Sequence, residues 1–460
     1  MQRSSWRVIS ILLLLVLAIF VPLVVSGYSE WKMASISKSY EEAGNHYKNA
    51  AQRIPWHADL YELAGHEYYY AKEYPQADAV YQKAFQRGSL SPVGWVAWGD
   101  VLYLNGDTGH ATQVWERGLA QKNPSENLYS RLAKVYKEQG NYSKAAEYLQ
   151  KYVAFHSDDA AAHYRLGLLL ALTDPKSALS ELISASELDP QLDPAVETLH
   201  SALNAALQND TPSERFVLTG RGLGLIQEWE MARIAFESAI QADDKNAEAW
   251  AWLGEAKQQA NEDGTTELER AFQLNPNSST VRGLRGLYFQ RTSNFRSALT
   301  EFQTAALLDA KNPAWQVSIG ETYSKLGDLI RALQAYQTAT TLAPNDPSYW
   351  RLLALFCGQN NVNIKDVGIP AAEKAVILVN DDSASQDLLG WLLLLDKRYP
   401  EAERILQLAL ELDPKNASAH LHLGMLYLER NQRELAFTQF VSARDLGSNE
   451  AQLILNQYFP

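Results

Sequence analysis

The chain has 460 residues, 46% of them hydrophobic and 10% aromatic, and a formal net charge of −13 at neutral pH. That much apolar material can bury a large core, but the length exceeds one compact core, so several domains or an extended array are expected. The acidic balance, unopposed by any Lys/Arg block, disfavours phosphate-backbone partners, and the single cysteine, Cys357, rules out an intramolecular disulfide or a four-cysteine zinc site.

Residues 1–7 carry Arg3 and Arg7, after which Val8 to Val25 run 18 residues without a charge. A helix rising about 1.5 Å per residue would span roughly 27 Å over that run, close to the hydrocarbon thickness of a bilayer. A transmembrane anchor at 8–26, in contact with the lipid bilayer, is therefore expected. A cleavable signal peptide competes, because the small residues Ser26 and Gly27 follow, but its apolar region is ordinarily shorter. No cysteine follows the run, so a lipoprotein anchor is excluded. Arg3 and Arg7, weighed against Lys32 and Lys38 on the other flank, favour a cytoplasmic 1–7 and an extracytoplasmic body.

From residue 27 the chain repeats itself with a period near 34 residues. Gly65 is followed by Ala77 and Ala84, and Gly99 by Ala111 and Gly118. The copy from Ala160 is one residue short in its turn. Between 191 and 212 the segment "DPAVETLHSALNAALQNDTP" reads as one helix without a partner, and it is the candidate boundary between an N-terminal lobe (27–190) and a C-terminal lobe (213–447). In the second lobe Gly220 goes with Ala232 and Ala239, and Gly286 with Ala298 and Ala305. "ANEDGTTELERAFQLNP" has lost two residues, and the copy from Pro347 has gained two. The clearest copies come last, as in "ASAHLHLGMLYLERNQRELAFTQFVSARDLG" from Ala417, with Ala436, Phe440 and Ala443 after Gly424. The copy before it sets Ala402, Leu406 and Ala409 after Gly390, and an earlier one sets Ala332, Tyr336 and Ala339 after Gly320. "AQLILNQYF" within 448–460 reads as a capping helix over the last apolar face.

Apolar residues at i, i+3, i+4 and i+7 mark two amphipathic helices per unit, with a break such as "NGD" or "KLGD" between them. Small residues fall where the two helices must approach, large ones fill the gaps beside them, and "LDP" or "LNP" ends the second helix. One such hairpin cannot bury its own apolar stripe, so neighbours must stack. The recurring Leu-Gly, Tyr, Ala, Phe/Tyr, Ala and Pro positions resemble the tetratricopeptide repeat family from about residue 40 to 447, in eleven repeats and one half. The resemblance implies an all-α, right-handed superhelical solenoid of stacked helix-turn-helix hairpins, here preceded by one N-terminal transmembrane helix.

Few motifs offer chemistry. His420 and His422 suggest a metal pair, but His420 stands where other copies carry Trp95, Trp250, Trp350 and Tyr61, and His422 points about 200° away around the helix. "TGRGLGL" at 219–225 looks faintly like a phosphate loop, yet it falls within a helix by register and lacks the preceding strand. "DDKNAE" at 243–248 lacks the glycine and final glutamate of a calcium loop and reads as the turn between repeats. Cys357 occupies a packing position of its copy. No nucleophile, acid–base or metal-ligating constellation stands out, so no enzyme, cofactor or metal is expected.

What remains is the groove that the resemblance assigns to the first helix of each hairpin. Its N-terminal part would present Tyr69, Tyr70 and Tyr103, its middle mixed charges such as Lys134, Arg221 and Glu255, and its C-terminal part Leu355, Trp391, Leu395, Leu421 and Met425. Members that clamp a chaperone's C-terminal carboxylate carry Asn at the ninth position of that helix. No copy here does, so that role is not expected. The apolar stripe is either a surface for an amphipathic helix or extended peptide, or core. Glu403, on the second helix, is expected to face solvent. The sequence thus suggests a membrane-anchored, non-catalytic scaffold binding a protein or peptide in its groove, without nucleic acid. The alternatives are an accessory subunit that positions an enzyme for cell-envelope or polymer assembly, and a cytosolic adaptor anchored in the reverse orientation.

Overall fold

The computed structural model describes residues 2–88 and 90–459, with the side chains of all of these except 2–13, 15 and 16. Among the described residues every regular element is helical, and the chain divides into two compact units, 1–208 and 209–460.

In the first unit the hairpins are α1 (Gln2–Ile36) with α2 (Tyr40–Arg53), α3 (Leu60–Tyr70) with α4 (Tyr74–Gln86), α5 (Pro92–Leu104) with α6 (Thr108–Leu119), α7 (Asn127–Glu138) with α8 (Tyr142–Phe155), and α9 (Ala160–Leu170) with α10 (Pro175–Leu188). A single helix, α11 (Asp193–Leu207), packs on α10 and closes this unit. The second unit pairs α12 (Pro212–Leu225) with α13 (Trp229–Ala242), α14 (Ala247–Gln259) with α15 (Thr265–Leu274), α16 (Ser279–Arg291) with α17 (Phe295–Leu308), and α18 (Pro313–Lys325) with α19 (Leu329–Leu342). It continues with α20 (Pro347–Asn360) and α21 (Ile369–Leu378), α22 (Ser383–Leu395) and α23 (Tyr399–Leu412), and α24 (Ala417–Glu429) and α25 (Arg433–Asp445), and α26 (Asn449–Tyr458) packs on α25. The two residues gained by the copy from Pro347 are taken up by a short π-helical turn, Ile364–Gly368, ahead of α21.

The local chemistry of each hairpin is uniform. Asp, Asn or Ser caps many helices by accepting a backbone N–H, as Asp107 does from His110 and Asn246 from Ala249. First helices end on a left-handed residue seven positions after the repeat glycine or its substitute: Lys72, Gly106, Gly140, Gln227, Ser293, Gly327 and Lys397 all have positive φ. The next N–H then reaches back to close the turn, as Glu73 does to the Tyr68 carbonyl. The copy from Ala160, one residue short, lacks that left-handed residue.

Packing follows the repeat. A Cβ on Gly65, Gly220, Gly286 or Gly424 would stand 2.5–2.7 Å from the ring of Tyr81, Phe236, Phe302 or Phe440, each sixteen residues on and fully or almost fully buried. In the two shortened copies the same glycine meets a leucine sooner, Gly167 against Leu182 and Gly254 against Leu268. The small residues Ala77, Ala232, Ala298, Ala332, Ala402 and Ala436 are completely buried. First helices also touch the first helix of the following hairpin (α3 with α5, α12 with α14, α14 with α16, α20 with α22, α22 with α24), and no pair of second helices makes a comparable contact among the described residues. Where they meet in this way, the first helices form the more closely spaced side of the stack.

The N-terminus departs from expectation in one respect. The apolar run continues into the first repeat without a break, α1 running through both with Pro22 inside it. Its inner part is the first helix of a hairpin with α2, in which Ala34, Ala43, Ala50, Ala51 and Ile54 are buried. Among the described residues no helix is long and apolar enough to cross a membrane, so the spanning helix expected at 8–26 is not supported there. The side chains of 1–7 and of most of 8–16 lie outside the described residues.

Candidate functional site

The expected groove residues lie on first helices, and the two units treat them differently. In the first unit Tyr69 and Tyr70 are ring neighbours at 5.5 Å, and Tyr70, which is exposed, leans on Tyr40 at 5.4 Å. Tyr103 is not part of that pair. Its hydroxyl donates to Glu138 Oε1 at 2.7 Å, and Lys134 Nζ lies 4.7 Å above its ring. Burial and the Asp100 carboxylate push the Tyr69 hydroxyl above the ordinary tyrosine value.

In the second unit Leu355 on α20 and Leu395 on α22 are 37% and 40% exposed, whereas Leu421 on α24 is 7% exposed and part of the core. Trp391 and Met425 are half-buried against that same core. The Trp391 ring stacks on His422 at 5.4 Å with 15° between planes, and a Cβ on Gly358 would stand 2.5 Å from it. The apolar stripe is thus partly surface and partly core: two leucines stand clear, Trp391 and Met425 straddle the edge, and Leu421 is inside.

His420 and His422 part company. His420 Nδ1 faces Gln439 Oε1 at 2.7 Å, while His422 Nδ1 faces Asp387 Oδ1 at 2.7 Å on the preceding first helix. "TGRGLGL" lies within α12, and in "DDKNAE" Asp243 accepts from the Lys245 N–H while Asn246 caps α14. Cys357 is fully buried, which pushes its thiol up to about 11.

Sequence reasoning missed a set of polar bridges joining several first helices to the next. Glu62 accepts from the N–H (2.7 Å) and hydroxyl of Ser91, with His66 Nε2 at 3.4 Å. Burial works to raise the Glu62 carboxyl, but the bonds from His66 and Ser91 outweigh it and hold it below the ordinary glutamate value. Arg131 forks onto both oxygens of Asp100 at 3.1 and 3.2 Å, Arg291 binds both oxygens of Glu255, and Arg351 reaches Asp382 at 2.8 Å. A second device occurs twice. Ser213 Oγ donates to the Ala239 carbonyl and accepts from Asn246 Nδ2, and Ser383 Oγ does the same with Ala409 and Asn416. It ties the end of a second helix to the cap of the next hairpin. The only signal in the sequence is complementary polar residues about one period apart.

Comparison with known proteins agrees with this architecture. The family model for the tetratricopeptide repeat matches residues 130–192, 284–347 and 388–451. Anaphase-promoting complex subunit 3 of Schizosaccharomyces pombe is 26% identical over 154 residues, which are 33% of this chain and 23% of that protein. This chain therefore matches about a quarter of that relative's length. A BBSome complex member BBS4 homolog of Drosophila melanogaster is 22% identical over 344 residues, 73% of this chain and 68% of that one. Among solved structures, the anaphase-promoting complex hetero-tetramer Cut9-Hcn1 aligns over 97% of this chain and 98% of that chain at 13% identity, with a TM-score of 0.43. Helical hairpins stacked in an all-α solenoid, with tetratricopeptide repeats in three stretches of the chain, are what the matches and the fold together support.

Proposed function

We propose that this chain is a membrane-anchored, non-catalytic scaffold that holds a protein or peptide partner along the first helices of its second unit. The observation that carries the reading is the pair Leu355 and Leu395, left exposed on first helices that touch each other and backed by the half-buried Trp391 and Met425. Two apolar side chains on adjoining helices, seated on a packed core, give an amphipathic helix or extended segment a fixed place to bury its own apolar face. Two relatives carry the names of complex members, which is in keeping with an assembly role. The net charge of −13 argues for a protein partner over a nucleic acid. The uncharged run Val8–Val25 supports an anchor, and Arg3 and Arg7, weighed against Lys32 and Lys38, favour a cytoplasmic N-terminus with the repeats outside.

The test uses a photo-crosslinking amino acid at position 355 or 395 of the full chain, in the cells that make it, with Ile377 as an exposed apolar control on a second helix. A discrete adduct from 355 and 395 but not from 377 is expected. Leu355→Ser combined with Leu395→Ser should abolish binding of the adduct's protein while thermal stability is retained. Absence of an adduct at both positions sinks the reading. Trp391 is unsuitable for that test because its ring is packed against Gly358 and His422.

A further inference from the structure

We infer that the loop between α2 and α3, centred on Pro55 and Trp56, is a second membrane contact that wedges into the headgroup layer beside α1; the inference rests on the anchor reading above. On α1 the side chains of Leu14, Leu17, Ile19, Phe20, Leu23 and Val25 are all exposed. At 100° per residue they point all round the helix, with the exposed Ala18 and Pro22 filling the remaining sector. A protein groove or a second copy would cover one face. A lipid bilayer covers every face, and it is the occupant this surface fits.

The loop follows that surface outward. Gly27 pins the end of α2, since a Cβ there would stand 2.8 Å from Ile54 Cγ2 and 3.1 Å from Arg53 Cβ. From this point the chain runs back along α1 before α3 begins. The Trp56 ring lies 5.8 Å from Phe20, seven residues further out, or about 10 Å along the axis. Trp56 is 51% exposed at that level. His57 holds the inner end of the loop, 4.9 Å from the Trp31 ring and 3.2 Å from the Tyr28 hydroxyl.

The chemistry runs in the same order. Trp, Tyr and His have apolar bodies and polar tips and are at home where hydrocarbon meets headgroups, and the exposed Lys32 lies one residue beyond Trp31 to meet lipid phosphate. Glu30 is the one acidic residue in the first 40, and its charge is spent internally: Arg53 Nη1 lies 2.6 Å from one oxygen and His46 Nδ1 2.6 Å from the other. The loop's own carboxylate, Asp59, is largely exposed and lies 3.9 Å from His57 Nδ1.

The test places a nitroxide on a cysteine introduced in the full chain at Pro55, with Phe20→Cys reporting the anchor and the exposed Gln359→Cys reporting water. The buried Cys357 stays in place as an unlabelled residue. In phosphatidylcholine–phosphatidylglycerol vesicles, power saturation should show the labels at 20 and 55 both several-fold less accessible to a water-soluble nickel chelate than the label at 359. A label at 20 shielded by lipid and one at 55 as open as 359 overturns the wedge and leaves the anchor standing. A label at 20 as open as 359 overturns both. Spin–spin broadening between 55 labels on different molecules assigns the loop to a second copy and overturns the lipid contact.

Discussion

At the scale of single residues, stability rests on contacts that admit no extra atoms. A Cβ on Gly286 would stand 2.5 Å from Phe302 Cε1, and Ala402 has no exposed surface at all. Gly286→Ala and Ala402→Leu should each cost about 1–3 kcal/mol through overpacking, while Arg404→Ala, two residues on and on the exposed opposite face of the same helix, should stay within about 0.5 kcal/mol. Thermal unfolding distinguishes them, and equal losses would mean that the buried row is misplaced. These contacts were legible in advance because they are local: glycine and partner lie within one hairpin, and the shortened copies showed up as shortened spacings. Glu403 was not legible. Expected to face solvent, it is half-buried and paired with Arg430 of the following hairpin.

Between elements, the polar bridges matter most where they are least exposed. Glu62 is almost buried and held below the ordinary glutamate value, so the folded chain binds its proton less readily than the unfolded one. Its stabilising contribution is complete above the ordinary glutamate range and is lost as pH falls through the depressed folded value. Glu62→Gln should cost about 1–3 kcal/mol at neutral pH, as expected for bonds to a charged acceptor, and should flatten the acid side of the stability profile. Urea unfolding at pH 7 and at steps down to pH 3 measures both, and an unchanged acid slope would assign the loss to other carboxylates. Helices, turns and the two-residue gain near Pro347 could be read from periodicity. The bridges could not, because each needs a partner about one period away whose approach depends on how closely first helices pack. The same dependence separates Leu421 from Leu355: both fall on the expected face, and only crowding by neighbouring helices buries one and leaves the other out.

Across the whole chain, contacts run chiefly between helices adjacent in sequence or one hairpin apart. Perturbation should therefore spread by neighbours and fade. In Gly424→Ala, where the new methyl meets Phe440, amide exchange should quicken in α23 to α26 and remain unchanged in α2 to α8. Native-state exchange followed by mass spectrometry tests this, and a uniform rise across both units would mean that they unfold as one. The lapse in the repeat pattern at 191–212 is visible in the sequence because one amphipathic helix lacks its partner. That α11 packs on α10 and lies in the first unit is a matter of tertiary contact and left no mark in composition.

The unbroken run of α1 from Gln2 to Ile36 has a mechanical corollary. A helix has no swivel, so even with Pro22 inside it the outer part and the first hairpin keep a fixed rotational phase. Inserting a single residue between Val25 and Gly27 would turn everything outside by about 100° and push it out by about 1.5 Å. Four inserted residues would bring it to within about 40° of its starting azimuth, roughly 6 Å further away. The spacing in this stretch therefore works as a dial, setting which side of the first hairpin faces whatever the outer end of the helix holds.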